Sequence, residues 1–144
     1  MSTKDLRAIK RHFFAEWNKG KTAALAEIDA IYTPNIVFHD ASRDIQGLKD
    51  FKQAIGKVFD AFPDYRITVD DIIVEGDKTV TRYTVTGTHK GAYMGIPATN
   101  KKVTLSAILI DRFVGGKVAE AWEMGDALGA MKQLGVVPTP GKGK

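Results

Sequence analysis

Glu123 is the residue of this sequence best suited to acid/base chemistry. Side chains alternate along a strand, so Ala119 and Ala121 share its face of a predicted strand and Val118 lies on the other. Two alanines next to one acid leave room for a ligand, and burial in an apolar interior raises the pKa of a carboxyl group. Removal of a proton from a carbon next to a carbonyl needs such a base. The alternative is a partly exposed glutamate at a strand end, paired with a lysine.

Two aspartates stand at the ends of predicted elements, and each has two interpretations. Asp126 precedes the last predicted helix, where its carboxylate would accept hydrogen bonds from backbone N–H groups. We favour this helix cap over a catalytic role. Asp40 ends a short predicted strand, where it could line the cavity or cap the following turn. Strand alternation puts His39 and Asp40 on opposite faces, so only one of them would line an interior cavity.

The histidines offer hydrogen bonds to a ligand rather than a metal site. His39 could orient a ligand or cap the turn that follows it. His89 could donate a hydrogen bond to a ligand carbonyl, or it could bond backbone groups of the loop over residues 91–97. The three histidines have no metalloenzyme spacing, and the chain has no cysteine. Because a metal site needs several convergent ligands, we predict no metal.

The large apolar side chains are expected to form the core and to line a ligand pocket. Most stand at helix or strand spacing, which is typical of core residues. Tyr93 and Met94 belong to a loop that could close over the pocket as a lid. Besides the two histidines, the side chains predicted to contact a ligand are Phe13, Trp17, Tyr93, Met94, Ile96, Leu109 and Trp122.

Hydrophobic spacing predicts helices first and strands afterwards. Apolar residues at steps of three and four predict helices over residues 3–19, 22–32, 48–62 and 126–134. Segments rich in Val, Ile, Thr and Tyr predict strands over 36–40, 65–74, 79–89, 102–113 and 117–124. Gly76-Asp77 and Gly115-Gly116 supply tight turns between strands.

This order of elements predicts an α+β fold, with helices packed on one face of a curved antiparallel sheet. A curled sheet of this kind leaves a cavity under the helices, which is a usual place for a small-molecule site. We predict a single domain over residues 1–136 and a flexible C-terminal tail over residues 137–144.

The composition argues against several classes of partner. The chain has 144 residues and a net charge of +4, with lysine and arginine scattered rather than clustered. Nucleic-acid binders usually carry clustered basic residues, so we predict no nucleic-acid partner. No apolar run approaches the roughly 20 residues that cross a bilayer, so we predict no membrane partner. The charged N-terminus lacks the apolar stretch of a signal peptide, which predicts a cytoplasmic location.

Two stretches of the C-terminal half resemble a known family. GTHKGAYMGIPATNKKVTL, over residues 87–105, and DRFVGGKVAEAWEMGDALGAMKQLG, over residues 111–135, are similar to the SnoaL-like polyketide cyclases. These proteins are also called ester cyclases and belong to the nuclear-transport-factor-2-like superfamily. The resemblance implies a cone-shaped, cystatin-like fold, a homodimer formed through the sheet, no metal and no cofactor. For characterised members it implies an intramolecular aldol ring closure assisted by one carboxylate.

The resemblance also implies roles for individual residues. Glu123 stands at the place of the acid/base aspartate of the cyclases, and Leu109 stands where some of them carry a histidine. The segment NIVFHDA places Asp40 where ketosteroid isomerases, distant relatives of the same fold, carry a proton-shuttling aspartate. The expected function is a cofactor-free, cyclase-type enzyme, or one of related chemistry, acting on an apolar carbonyl-containing small molecule. The alternatives are a non-catalytic dimer that binds a small hydrophobic ligand, and a structural dimer with a filled interior.

Overall fold

The computed structural model describes residues 3–137 and contains four helices and six strands in that range. The predicted tail lies outside the described residues except for Val137. The helices are α1 (Thr3–Trp17), α2 (Lys21–Ile31), α3 (Leu48–Ala61) and α4 (Ala127–Leu134). The strands are β1 (Tyr32–His39), β2 (Asp44–Gln46), β3 (Arg66–Glu75), β4 (Lys78–Thr88), β5 (Lys102–Val114) and β6 (Lys117–Gly125). The α+β fold class is confirmed. None of the helices within residues 3–137 has the length and apolar character needed to cross a membrane.

The six strands form one curved sheet in the order β2-β1-β6-β5-β4-β3. Neighbouring strands are antiparallel except for β1 and β6, which run parallel, so the prediction of a wholly antiparallel sheet is wrong at this pair. Parallel neighbours need a long crossover, and here α3 and four strands lie between β1 and β6 in the chain. The two predicted tight turns are confirmed, since Glu75 pairs with Lys78 and Val114 pairs with Lys117.

The first strand begins earlier than the sequence predicts. β1 includes Thr33, Pro34 and Asn35, which we expected to end the preceding helix. The pairing of β1 with β6 shifts register between Tyr32 and Val37, so Pro34 lies in an irregular part of the ladder. A proline is tolerated in a strand at such a place because no ladder hydrogen bond from its nitrogen is needed. The short strand β2 was missed because three residues show no period.

A bulge in β6 changes which of its side chains face the helices. The register shifts between the pairs Arg112–Glu120 and Phe113–Val118. Val118 and Ala121 are therefore both fully buried, although strict alternation would put them on opposite faces. The prediction that Val118 points away from Ala121 is wrong. After the bulge the alternation is regular, and Ala121 and Glu123 share the inner face.

The core lies between the helices and the inner face of the sheet. α1 packs on β3 and α2, and α3 packs on α2 and β1. Buried aromatic rings connect these layers. The ring centroids of Phe14 in α1 and Tyr83 in β4 are 6.0 Å apart, and those of Tyr32 in β1 and Phe51 in α3 are 5.1 Å apart. α4 packs on β5, where Gln133 exchanges hydrogen bonds with the Thr104 backbone.

Candidate functional site

Glu123 accepts a hydrogen bond on its Oε2 atom from the phenol of Tyr83. The two residues lie on β6 and β4, with β5 between them. In the register, Tyr83 pairs with Ala107 and Ala107 pairs with Gly125. Strands two places apart are separated by about 10 Å, so a long side chain must cross the intervening strand. Ala107 presents only a methyl group there, which lets the phenol reach the carboxylate.

Burial raises the pKa of Glu123 above its ordinary value. The hydrogen bond from Tyr83 acts in the opposite direction because it stabilises the carboxylate form. The negative charges of Asp40 and Asp111 raise the pKa further, and Lys10 lowers it. Glu123 is nevertheless only half-buried, so protein surrounds the carboxylate closely while part of the side chain keeps contact with solvent. This half-buried place of the Glu123 carboxylate, together with the tyrosines near it, is called the recess.

The negative charge of Glu123 acts on all four tyrosines of the chain. The pKa values of Tyr32, Tyr65, Tyr83 and Tyr93 are raised, in each case first by burial and then in part by the charge of Glu123. Tyr65 and Tyr93 remain half-buried, like Glu123 itself. The phenol of Tyr83 donates a hydrogen bond to this carboxylate, and the other three tyrosines are linked to it by electrostatics.

Asp40 caps the turn that follows β1. Its Oδ1 atom accepts hydrogen bonds from the Ser42 backbone N–H at 2.7 Å, the Ser42 hydroxyl at 2.8 Å and the Arg43 backbone N–H at 2.9 Å. Burial alone would raise its pKa, but these bonds and the Arg43 charge lower it. The capping interpretation is confirmed, and Asp40 acts on Glu123 as a nearby anion.

Asp126 caps α4, as predicted. Its Oδ1 atom accepts a hydrogen bond from the Gly129 backbone N–H at 2.9 Å, and Gly135 ends the helix in the left-handed conformation. The residue is exposed. Asp126 therefore has a complete structural role that needs no part in chemistry.

His39 and Trp122 lie on the outer face of the sheet, away from Glu123. The His39 ring stacks on Trp122 with centroids 5.6 Å apart. Its Nδ1 atom is 2.7 Å from Asp44 and its Nε2 atom is 2.8 Å from Glu120. These hydrogen bonds, first to Glu120 and then to Asp44, raise the pKa of His39. Neither predicted ligand-binding residue joins the group around Glu123.

His89 closes the base of the predicted lid loop. It is fully buried, and its Nδ1 atom accepts the backbone N–H of Thr99 at 3.3 Å. Its backbone N–H donates to Lys101 at 2.9 Å, and its ring stacks on Phe62 with centroids 5.3 Å apart. The predicted bonding to the segment 91–97 is wrong, because the partner of the ring is Thr99, two residues beyond that segment. Its ligand-binding role stays a prediction.

The tip of the lid loop is a tight hairpin. Tyr93 and Ile96 exchange two backbone hydrogen bonds of 2.9 Å, and Met94 adopts a left-handed φ of 49° between them. The Met94 side chain is 72% exposed, whereas the Tyr93 ring packs edge-on against Phe62 at 5.7 Å. Tyr93 therefore faces the protein and Met94 faces solvent, although both were predicted to contact a ligand.

Phe13, Trp17 and Leu109 are core residues. Trp17 packs between Phe59 and Tyr65, with ring centroids at 5.6 and 6.0 Å. Leu109 is the direct cross-strand partner of Glu123 and is buried. The indole N–H of Trp17 is buried and has no hydrogen-bond acceptor among the described residues.

A buried ion pair was missed by the sequence analysis. Lys10 Nζ lies 2.8 Å from Asp111 Oδ2, and both side chains are 0% exposed. The sequence carries a signal for both residues. Lys10 falls on the apolar stripe of α1 between Leu6 and Phe14, and Asp111 alternates with the buried Leu109 and Phe113 on β5.

Two surface depressions lie away from this group of residues. One is lined mainly by β2 and α3, and the other by α2 and α3; neither includes Glu123. Within residues 3–137, no group of three or more His, Cys, Asp or Glu side chains is arranged to hold a metal ion. The absence of a metal and of a cofactor stays a prediction.

Comparison with known proteins identifies relatives over nearly the whole chain. The model of the SnoaL-like polyketide cyclase family matches residues 8–134. Aklanonic acid methyl ester cyclase DnrD of Streptomyces peucetius is 28% identical over 135 residues, which cover 92% of this chain and 92% of that protein. The structure of AclR of Streptomyces galilaeus, named as a candidate hydroxylase, has a TM-score of 0.85 and 30% identity, covering 95% of this chain and 100% of AclR. A SnoaL-like polyketide cyclase of Agrobacterium tumefaciens strain C58 shares the fold, with a TM-score of 0.74 and 21% identity over 93% of this chain and 99% of that one.

Proposed function

Because this chain belongs to the SnoaL-like polyketide cyclase family, we propose that it is a cyclase-type enzyme acting on an apolar, carbonyl-containing small molecule. Glu123 is the general acid/base, and no cofactor takes part. The observation that carries this proposal is the setting of that carboxylate, which is half-buried, held by Tyr83 and raised in pKa by burial. A base of this kind takes a proton from a carbon next to a carbonyl group.

The proposed reaction is an intramolecular aldol addition. Glu123 removes a proton from a carbon next to a carbonyl group, and the electron pair left behind forms an enolate. The enolate carbon attacks a second carbonyl carbon of the same molecule, and the π electrons of that carbonyl move to its oxygen. This oxygen takes the proton back from Glu123, which restores the carboxylate. Tyr65 and Tyr93, the half-buried phenols of the recess, stabilise the enolate oxygen by hydrogen bonds.

We propose polyketide esters as the first substrate class. The relative DnrD is named for a methyl ester, aklanonic acid methyl ester. An ester and a ketone that share a neighbouring carbon make its hydrogen acidic enough for a carboxylate base. The aromatic walls near the recess, such as Tyr65 packed on Phe59 at 5.3 Å, suit a flat apolar ligand.

The test separates proton removal from ring closure. The protein is incubated in D₂O with a methyl β-keto ester of an aromatic ketone, and loss of the acidic C–H signal is followed by NMR. Wild type is expected to accelerate the exchange. The exchange rate with Glu123→Gln is expected to be at least about a hundredfold lower than with wild type. Glu120→Gln, on the outer face of the same strand, is the matched control and should keep the rate. Equal exchange by wild type and Glu123→Gln would contradict the proposal.

The binding alternative has its own outcome in the same experiment. A ligand that raises the melting temperature of wild type and of Glu123→Gln, without exchange in either, would favour a protein that binds and does not transform it.

We propose further that the protein is a cytoplasmic homodimer formed through the outer face of the sheet. Three large apolar side chains, Ile73, Ile108 and Met124, are exposed on that face. Light scattering is expected to give the mass of a dimer for wild type and of a monomer for Ile108→Glu. A monomeric wild type at micromolar concentration would contradict this assembly.

A further inference from the structure

The ion pair between Lys10 and Asp111 is sealed from solvent. Its two charged atoms lie 2.8 Å apart, both side chains are 0% exposed, and the ammonium also sits over the rings of Phe13 at 4.2 Å and Phe14 at 4.7 Å. A buried ion pair is weak evidence for stability, because the cost of removing two charges from water offsets much of their attraction. Its presence in an apolar core calls for another physical reason.

The register of the sheet places this pair next to Glu123. Asp111 pairs with Ala121 and Leu109 pairs with Glu123, so Asp111 and Glu123 are diagonal neighbours on the inner face. Such neighbours are about 7 to 8 Å apart along the sheet, a distance at which two charges in a protein interior interact strongly.

We propose that Asp111, paired with Lys10, is a positioning residue for Glu123, because its negative charge next to that carboxylate makes Glu123 a stronger base for the substrate's proton. Lys10 supplies the counter-charge that a buried carboxylate needs. The pair thus places an anion close to the acid/base group without opening the core to water. This inference rests on the proposed role of Glu123.

Other charged and titratable groups also face Glu123 and do not replace this role. They come from every element packed around it and are Tyr32 and Asp40 of β1 and its following turn, Tyr65 before β3, Tyr83 of β4, and Tyr93 of the lid loop. Asp40 is the other anion, but it is partly exposed and its charge is shared with three hydrogen bonds and Arg43. Asp40 raises the pKa of Glu123 more than Asp111 does, but Asp111 is fully enclosed, so salt and solvent screen its charge less.

The experiment measures the protonation of Glu123 directly. Protein carrying ¹³C at the glutamate carboxyl carbon is titrated by NMR, and the Glu123 signal is identified by its absence in Glu123→Gln. Asp111→Asn preserves shape and removes the anion, so the midpoint of Glu123 is expected to fall by about one pH unit. Asp70→Asn, which removes an exposed acid on β3, is the matched control and should leave the midpoint within 0.2 pH units, roughly the reproducibility of such titrations.

A second variant keeps the test decisive if Asp111→Asn does not fold. Lys10→Met/Asp111→Asn leaves no lone charge in the core, and its Glu123 midpoint is expected to fall by a smaller amount because both charges are lost. An unchanged or raised midpoint in the folded variant overturns the proposal. Because the readout is protonation and not turnover, the inference can fail while the proposed reaction stands. The acid side of the deuterium-exchange profile should move together with the midpoint, which a purely structural ion pair would not produce.

Discussion

Tyr83 reaches Glu123 across an intervening strand and donates its phenolic hydrogen bond to the Oε2 atom. One carboxylate oxygen is thereby fixed, and in the proposed reaction the other meets the substrate. The contact couples the two groups, since the hydrogen bond from the phenol lowers the pKa of Glu123.

Tyr83→Phe is expected to raise the pKa of Glu123 further, because it removes the hydrogen bond that stabilises the carboxylate. The acid side of the exchange profile should move to higher pH, and the rate at pH 7 should fall about tenfold or more. Thr84→Val is the control, since it removes a hydroxyl that donates to Asp70 at 2.8 Å elsewhere on the same strand. A profile that overlays that of wild type would contradict the role of the phenol.

Ala107→Val is expected to reproduce the effect of Tyr83→Phe. The larger side chain would occupy the place where the phenol crosses β5 and so separate it from Glu123. The measurement is again the exchange profile, with Ser106→Val on the outer face as control. If Ala107→Val and wild type have the same exchange profile, the hydrogen bond from Tyr83 to Glu123 does not depend on a small residue at position 107.

Glu123→Gln is expected to gain stability relative to wild type as the pH rises. The pKa of Glu123 is raised in the folded protein, so its contribution to stability is present below the ordinary value of 4.5 and is lost as the pH rises through the folded value. Glutamine does not ionise and suffers no such loss. The difference in melting temperature, variant minus wild type, should therefore increase between pH 4 and pH 8. A difference that is constant with pH would contradict the raised pKa.

His39→Gln is expected to destabilise the protein at pH 6 much more than at pH 9. The hydrogen bonds to Glu120 and Asp44 raise the pKa of His39. The stability that they contribute is present below the ordinary value of 6.5 and is lost as the pH rises through the folded value. Melting temperatures of both proteins across this window provide the check. If the two melting temperatures differ by the same amount at pH 6 and at pH 9, the charge of His39 does not contribute to stability.

Asp126→Ala is expected to cost about 1 kcal/mol of unfolding free energy through loss of the α4 cap, with the exchange rate unchanged. Asp126→Asn keeps a capping oxygen and should recover most of the stability. Urea unfolding of the three proteins measures both effects. Loss of exchange in a folded Asp126→Ala would instead place this residue in the reaction.

The sequence was sufficient for the fold but not for the composition of the site. Helical stripes and β-rich segments identified every long element, because burial imposes a period on the chain. Glu123 was found through its predicted strand and the family resemblance, and the caps at Asp40 and Asp126 were found through their positions at element ends. The partners of Glu123 could not be found in this way. Tyr83 reaches it from β4 and Asp111 lies diagonally from it on β5, and this register depends on pairings that no local pattern encodes.

The lid loop is fastened at its base on two sides. The backbone N–H groups of Lys90 and Gly91 donate to Ala61 at the end of α3, and a Cβ atom at Gly91 would come within 2.7 Å of the Asp60 carbonyl oxygen. Asn100 is tied back to the backbone of His89 at 2.8 Å. The hairpin between these anchors can consequently be replaced as a unit. Its length and side chains can be varied by graft, while the sheet that carries Glu123 is left untouched.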